Sequence, residues 1–489
     1  MPLTSSLDTA RSALSVLSER TAVVSRNVAN AQNDYVSRKI THTVSGEGGV
    51  GVRLAVVTRA SDDALFQNMI ASNSAAGQHE AMVDALDQLN RTIGDVGQAS
   101  SPAAAVGGLA DALQQYSAAP HQAGLGQNAV FKAQDAATAL NEATAVVQQT
   151  RIDADKAIAD SVNNLNTMLS SFEEVNRDIV NGTRFGRDVT DLLDKRDLLL
   201  KDISREIGIR TVTRADNDMA IYTDSGVTLF ETTAREVSFS PTSGLGPTTA
   251  GNAVFVDGVR VTGSASPMPI ASGRIRGLVE IRDTVAVSYQ NQLDEIARGL
   301  ITNFAESDQS ASALPDRTGL FSYSGSPAVP AAGTLVSGLA GQISVNAAVD
   351  PAQGGDPALL RDGGINGAAY VYNAFGDEGF SDRLRELHDL FHTSASFDAA
   401  AQLDTSTTLV SFSSNSVGWL QEIRQNATAD FEFRNAVFER SSDALSNATG
   451  VNLDLEMTLL LELERSYQAT SRLISTVDTM FASLLEAAR

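Results

Sequence analysis

Residues 2–31 read PLTSSLDTARSALSVLSERTAVVSRNVANA. Within this run Leu3, Leu7, Ala10, Leu14, Leu17, Thr21, Val24, Val28 and Ala31 recur at alternating steps of four and three. Such a/d spacing predicts one long helix with a narrow apolar seam. About 30 helical residues span roughly 45 Å. A lone helix cannot hide its own stripe, so the segment requires a partner.

The other end of the chain offers the same feature. Leu453, Leu460, Tyr467, Ile474 and Phe481 lie seven residues apart. Leu463, Val477 and Leu484 occupy the second seam position, and Leu459, Leu473, Met480 and Leu485 widen the stripe. Gly450 ahead of it, with Asn452 and Asp454 at its start, punctuates and complements a helix N-terminus. The two seams could close on each other within one chain or be covered by neighbouring copies. Each seam Leu is worth roughly 1.5–3 kcal/mol once buried. We expect the second route, with both ends mobile in an isolated monomer.

Working inward, Leu65, Met69, Met82, Leu86, Leu89 and Ile93 mark a further helix. Ile158, Val162, Leu165, Leu169, Phe172 and Ile179 mark another, beginning near Phe131. A shorter helix is predicted from Val189 to Ile207, one from Ile275 to Phe304, and a long one through Leu420, Ala427, Phe431, Phe438 and Leu445. Helices of this length suit a bundle. Between 208 and 273 the period changes to alternation. Val254-Phe255-Val256-Asp257-Gly258-Val259-Arg260-Val261 is a hairpin signal built on an Asp-Gly turn. Ala220-Ile221-Tyr222 and Val227-Thr228-Leu229 form a second strand pair around Asp224-Ser225-Gly226.

The expected fold is therefore mainly α with a β insertion. Residues 1–60 and 448–489 form a terminal coiled coil. Residues 61–207, 274–306 and 380–447 form a helical bundle. Residues 208–273 form a small all-β domain, and 307–379 are Gly/Ala/Ser-rich loops with short strands. Both termini are expected at one end of the molecule and the β domain at the other.

The 489 residues carry a formal charge of −23, which disfavours nucleic acid and anionic lipid as partners. The chain has no Cys, which removes disulfides, thiolate metal sites and Cys nucleophiles. No run approaches the ~20 apolar residues of a membrane span. The first residues do not read as a cleaved secretory signal, so export would use a route that leaves them in place.

Catalytic signatures are sparse. His388 and His392 stand at i and i+4, the spacing of zinc proteases, but Asp389 replaces the Glu expected beside the first His, and a third ligand is required. Gly46-Glu47-Gly48-Gly49-Val50-Gly51 and Gly124-Leu125-Gly126 read as turns rather than nucleotide cradles. Asp62-Asp63 suits a helix N-terminus, and Glu173-Glu174 a helix surface. No cofactor is expected.

Several segments resemble the axial proteins of the bacterial flagellum. Asn27-Val28-Ala29-Asn30 resembles the Asn-x-Ala-Asn motif that closes their first helix, although Gln32-Asn33-Asp34-Tyr35 replaces the usual Thr and Gly that follow. Asp191-Leu192-Leu193-Asp194-Lys195-Arg196-Asp197 is similar to the Leu-Leu-Asp-x-Arg-Asp signature of the hook-associated protein 1 family. Ile343-Ser344-Val345-Asn346 with Asp356-Pro357 resembles that family too. So do Gly450-Val451-Asn452-Leu453-Asp454, Glu456-Met457, Tyr467-Gln468-Ala469 and Asp478-Thr479-Met480-Phe481.

The resemblance implies a structural protein rather than an enzyme. It implies export by the flagellar type III apparatus and a closed ring of about eleven copies. Hook protein would lie below, a second junction protein and the filament above, and an export chaperone would hold the C-terminal helix. The implied assembly surface is Leu7, Leu14, Leu17, Val24, Asn27, Val28 and Asn30 with Leu453, Leu460, Leu463, Tyr467, Leu473, Ile474, Val477, Phe481 and Leu484. The alternatives are another axial protein (hook, rod or second junction protein), a metal-dependent hydrolase using His388 and His392, and a helical scaffold unrelated to flagella.

Overall fold

The computed structural model describes residues 2–33, 35–46, 51–93 and 101–487. The proposed turn at 46–51 and the segment 32–35 lie partly outside these residues, as does the side chain of Ile93.

The first helix, α1 (Pro2–Ala29), is followed by an antiparallel hairpin, β1 (Lys39–Ser45) and β2 (Val52–Arg59). Four helices come next: α2 (Asp63–Ile93), α3 (Pro102–Ala118), the 62-residue α4 (Ala123–Arg184) and α5 (Thr190–Glu206). Asp62 Oδ1 accepts the Leu65 amide at 3.0 Å and so caps α2. Gly124 and Gly126 lie inside the first turns of α4, not in a turn. Gly126 is there because a Cβ would stand 3.1 Å from the Tyr116 ring, so the close approach of α3 outweighs glycine's weak helix propensity.

Two three-stranded antiparallel sheets follow. One comprises β3 (Ile209–Thr213), β4 (Met219–Thr223) and β5 (Thr228–Phe230). The other comprises β6 (Val237–Ser238), β7 (Phe255–Val256) and β8 (Val259–Arg260). The Asp-Gly turn joins β7 to β8 with Asp257 at φ 49° and Gly258 at φ 77°, the left-handed pair that a two-residue hairpin needs.

Next, α6 (Arg274–Glu280) runs through a π-turn at Ile281–Val285 into α7 (Ala286–Asn303). The stretch after it holds β9 (Phe321–Ser322), β10 (Ser344–Val345) and α8 (Leu359–Asp362). Then come α9 (Asp382–Leu390), the pair β11 (Ser394–Ser396) and β12 (Ser406–Thr408), and the long helices α10 (Leu409–Thr449) and α11 (Leu453–Ala487).

One apolar core runs from Met69 to Ala427. It joins Leu140, Leu165 and Phe172 of α4 to Ile221 and Phe230 of the first sheet and Val256 of the second. It also takes in Leu300, Phe321 and Ile343. Phe172 meets Phe230 edge-on at 5.0 Å, and Phe304 meets Phe321 and Phe391 at 5.3 and 5.8 Å. The sheets and the Gly-rich stretch are therefore built onto the helical body.

The β region does not lie at the end remote from the termini. Thr211, Thr213 and Met219 line the same crevice as Tyr35 and Arg59. The end of α4 already reaches this crevice through Thr183 and Gly186, α5 leads the chain away from it to Arg205 beside Glu80, and β3 runs back.

Candidate functional site

The two seams predicted from sequence meet. Helix α1 packs antiparallel against α11, with Leu17, Val24 and Leu463 forming a small apolar cluster flanked by Val28, Leu459 and Leu460. The other side of α1 rests on the hairpin, where the Val52 amide donates to Ser12 Oγ at 3.2 Å. The expectation that neither stripe finds cover in one chain is thus corrected. The a/d spacing in α1 and α11 is mutually compatible, so each seam supplies the other's partner.

Cover is incomplete. Leu463 and Val477 are 4% and 6% exposed, whereas Tyr467, Leu473, Met480 and Leu484 are each about half exposed and Leu485 is 70% exposed. Leu7, Leu14, Val28, Leu460, Ile474 and Phe481 are half-buried, and Leu453 is exposed. Helix α11 therefore carries more apolar surface than one α1 can cover. Leu17, Val24, Asn27, Leu463 and Val477, expected to face other copies, are instead covered within the chain.

Asn27 is an internal fastener. Its Nδ2 donates to Lys39 O at 2.9 Å and to Glu456 Oε2 at 3.1 Å, and its Oδ1 accepts the Lys39 amide at 3.0 Å. Glu456, 1% exposed, also accepts from Arg38 Nε at 2.6 Å. One Asn and one Glu thus tie together α1, the hairpin and α11. Asn30 turns back to the Arg26 carbonyl at 2.9 Å and closes α1. Asn452 Oδ1 accepts the Leu455 amide at 3.1 Å and opens α11.

Below this unit stands a charged row on and beside α5. Asp188, Asp191, Asp194 and Asp197 follow at three-residue steps. Arg26 meets Asp188 at 3.1 Å and Asp191 at 3.5 Å; Lys39 meets Asp191 at 3.5 Å and Asp194. Arg59 bridges Asp194 at 3.0 Å and Asp197 at 2.7 Å. Asp194 further accepts from Ser37 Oγ at 2.6 Å. Burial pushes Asp197 above the usual carboxylate range, although Arg59 and Arg196 oppose it. Burial works to lower Arg59, but Asp197 and Asp194 outweigh it and hold its guanidinium above the ordinary value. Arg196 faces inward, donating to Asn217 O at 2.5 Å, and burial pushes it down to about 10. Sequence reasoning read this segment only as a signature. The three-residue spacing of its acids, with Arg26, Lys39 and Arg59 awaiting partners, was the available clue.

The His388 and His392 rings stand 5.1 Å apart, and His388 Nδ1 lies 3.4 Å from Asp389 Oδ1. Among the described residues no group of three or more His, Cys, Asp or Glu could hold a metal. Among them, too, no helix is long and apolar enough to cross a membrane. Glu173 is not an idle surface acid, because it accepts the Ala234 amide at 2.8 Å and holds the first sheet to α4.

Comparison with known proteins gives these features a context. Residues 86–320 match the family described as flagellar hook-associated protein FlgK helical domain, and residues 444–487 match the flagellar basal body rod FlgEFG protein C-terminal family. The chain is 23% identical over 240 residues to flagellar hook-associated protein 1 of Bacillus subtilis (strain 168). That match takes in 46% of this chain and 47% of the relative. The fold is shared with the flagellar hook junction protein FlgK from Burkholderia pseudomallei. The TM-score is 0.57 at 14% identity, covering 77% of this chain and 99% of that one.

A terminal segment like that of the rod proteins, set on a helical body like that of the hook-associated ones, is the make-up of the flagellar axial class, which this chain resembles. Within that class the chain is similar to the FlgK-type hook-associated proteins, and it spans about half the length of the curated relative it matches.

Proposed function

We propose that this chain forms a ring at the hook–filament junction, outside the cell, and acts mechanically without catalysis. The α1–α11 pair would face the central channel. The exposed apolar residues of α11 would be covered by the next copy, in a closed ring of about eleven subunits. Hook protein would pack below, and a second junction protein and the filament above. The chain would leave the cell through the flagellar type III apparatus, with a chaperone shielding α11 until assembly.

The observation that supports this reading is the apolar surplus of α11. Tyr467, Leu473, Met480, Leu484 and Leu485 remain open to water after the seam with α1 has closed. A surface of that kind on a charged, soluble chain marks a protein-binding face.

The test replaces Leu473 and Leu484 together by Ser. Because both side chains are about half exposed, monomer stability should change by less than ~1 kcal/mol. Swimming and the yield of hook-attached filament should fall severely. Wild-type filament assembly by the double variant would overturn the proposal.

A further inference from the structure

The terminal unit and the body share no apolar core. The body's buried cluster begins at Met69 and its last buried member is Ala427, while the seam cluster holds only Leu17, Val24 and Leu463. Between them lies a crevice of about 1020 Å³, lined by Tyr35, Arg59, Phe66, Asp197, Thr211 and Asn452, among others. The chain crosses this boundary twice, after β2 and before α11. Otherwise the contacts across it are largely polar: the Asp row, the Arg38 amide on Thr449 O at 2.8 Å, and Lys201 over the Tyr35 ring at 4.6 Å.

We infer that Asp188, Asp191, Asp194 and Asp197 form a charge-paired joint that sets the angle between the α1–hairpin–α11 unit and the helical body. Helix α5 suits this role because its two sides belong to different parts. Leu200 and Ile203 sit in the body core, and Arg196 grips Asn176 at 3.3 Å and the Asn217 carbonyl. The Asp side receives cations from α1, β1 and β2. Three cations on three separate elements fix rotation as well as distance, which a single ion pair cannot do. Arg59 spans two successive acids, and Asp194 holds Lys39, Arg59 and Ser37 at once. Apolar packing would hold the unit across a broad, non-directional face; discrete charge pairs hold it at one setting. The unit itself stays intact when the joint loosens, because Asn27 and Glu456 tie its three elements internally.

The absence of Cys makes the experiment direct. Nitroxides are placed on the full chain at Glu19→Cys and Asp178→Cys, both exposed, one on each side of the joint. Distance distributions and hydrogen exchange are then measured for the parent, Asp194→Asn, Arg59→Gln and the double variant. The parent should give one narrow distance. Each single variant should broaden it, while exchange within β1 and β2 stays at the parent's rate because Asn27 and Glu456 hold the unit together. The double variant should do no worse than the sum of its parts and closer to either single, as coupled partners behave. Amides of α4 around Leu140 and Leu165 should keep their protection. Asp188→Asn, at the half-exposed end of the row, should give a smaller broadening without leaving a buried cation unpaired.

An unchanged, narrow distance in Asp194→Asn overturns the inference. So does loss of protection in α4 together with the hairpin, since joint and body would then be one cooperative piece. The assay uses the soluble chain alone, so its outcome is independent of the junction reading.

Discussion

Leu463 is the residue on which the pairing of the two chain ends most depends. It is 4% exposed and is one of only three members of the seam cluster, facing Leu17 and Val24. Large-to-small replacements in cores cost ~2–5 kcal/mol, the spread reflecting how far the site collapses. This seam lies between two helices with solvent on both flanks, so collapse is easy and the lower part of the range applies, about 2–3 kcal/mol. Because the seam shares no buried residue with the body, Leu463→Ala should raise the opening of the α1–α11 pair without touching the body. An opening free energy reduced by that amount speeds amide exchange about 30- to 150-fold wherever exchange proceeds through that opening. Exchange measured by mass spectrometry should show this acceleration in 10–28 and 456–478, with 129–172 unchanged. Leu17→Ala should do the same, and the pair should be non-additive. Equal exchange in parent and Leu463→Ala would refute the view that this seam orders the ends. Equal acceleration in α4 would refute its separateness from the body.

Two further predictions use buried polar groups. Glu456→Gln removes the charge that Arg38 and Asn27 share. Arg38 is 28% exposed and can turn to water, so the loss is that of charge-assisted hydrogen bonds, about 1.5–3 kcal/mol, and the variant should weaken the hold of α11 on the hairpin, read as early loss of helicity in a urea titration. Asp294 accepts the amides of Gly338 at 2.7 Å and Ala340 at 2.8 Å, yet burial outweighs these bonds and pushes its carboxyl up to about 6. The folded state therefore holds this proton more tightly than the unfolded chain, whose carboxyl titrates near 3.9. The stabilisation is full below about pH 4 and is lost as pH rises through 6, amounting to roughly 3 kcal/mol. Asp294→Asn cannot titrate, so the stability of the parent relative to the variant should fall by roughly 2 kcal/mol from pH 4 to 6.5. A constant gap in paired urea titrations would show that Asp294 does not titrate there.

The long periodic features were readable because they are local. The 3–4 spacing from Leu3 to Ala31 and the Asp257-Gly258 turn each encode their structure within a few residues. Helices α4 and α10 announce themselves in the same way. The β1–β2 hairpin was missed although Ile40, His42 and Val44 alternate with Thr41 and Thr43. It sits next to the stronger helical signal of α1 and was absorbed into the terminal unit. The three-residue spacing of the acids hints at a charged face, but it does not say which cations meet it, because Lys39 stands 155 positions from Asp194. Nor could the division of the α11 stripe into covered and open residues be read. Leu463 and Leu473 look alike in sequence and differ only in whether α1 reaches them.

The bond from Asn27 to Glu456 spans 429 positions. At a synthesis rate of about 5–20 residues per second, the leading helix leaves the ribosome roughly 20–90 seconds before its mate exists. Throughout that interval its greasy edge has no destination in its own polypeptide. Any factor that greets the nascent leader has this window in which to act, and shortening the chain's tail would prolong it indefinitely.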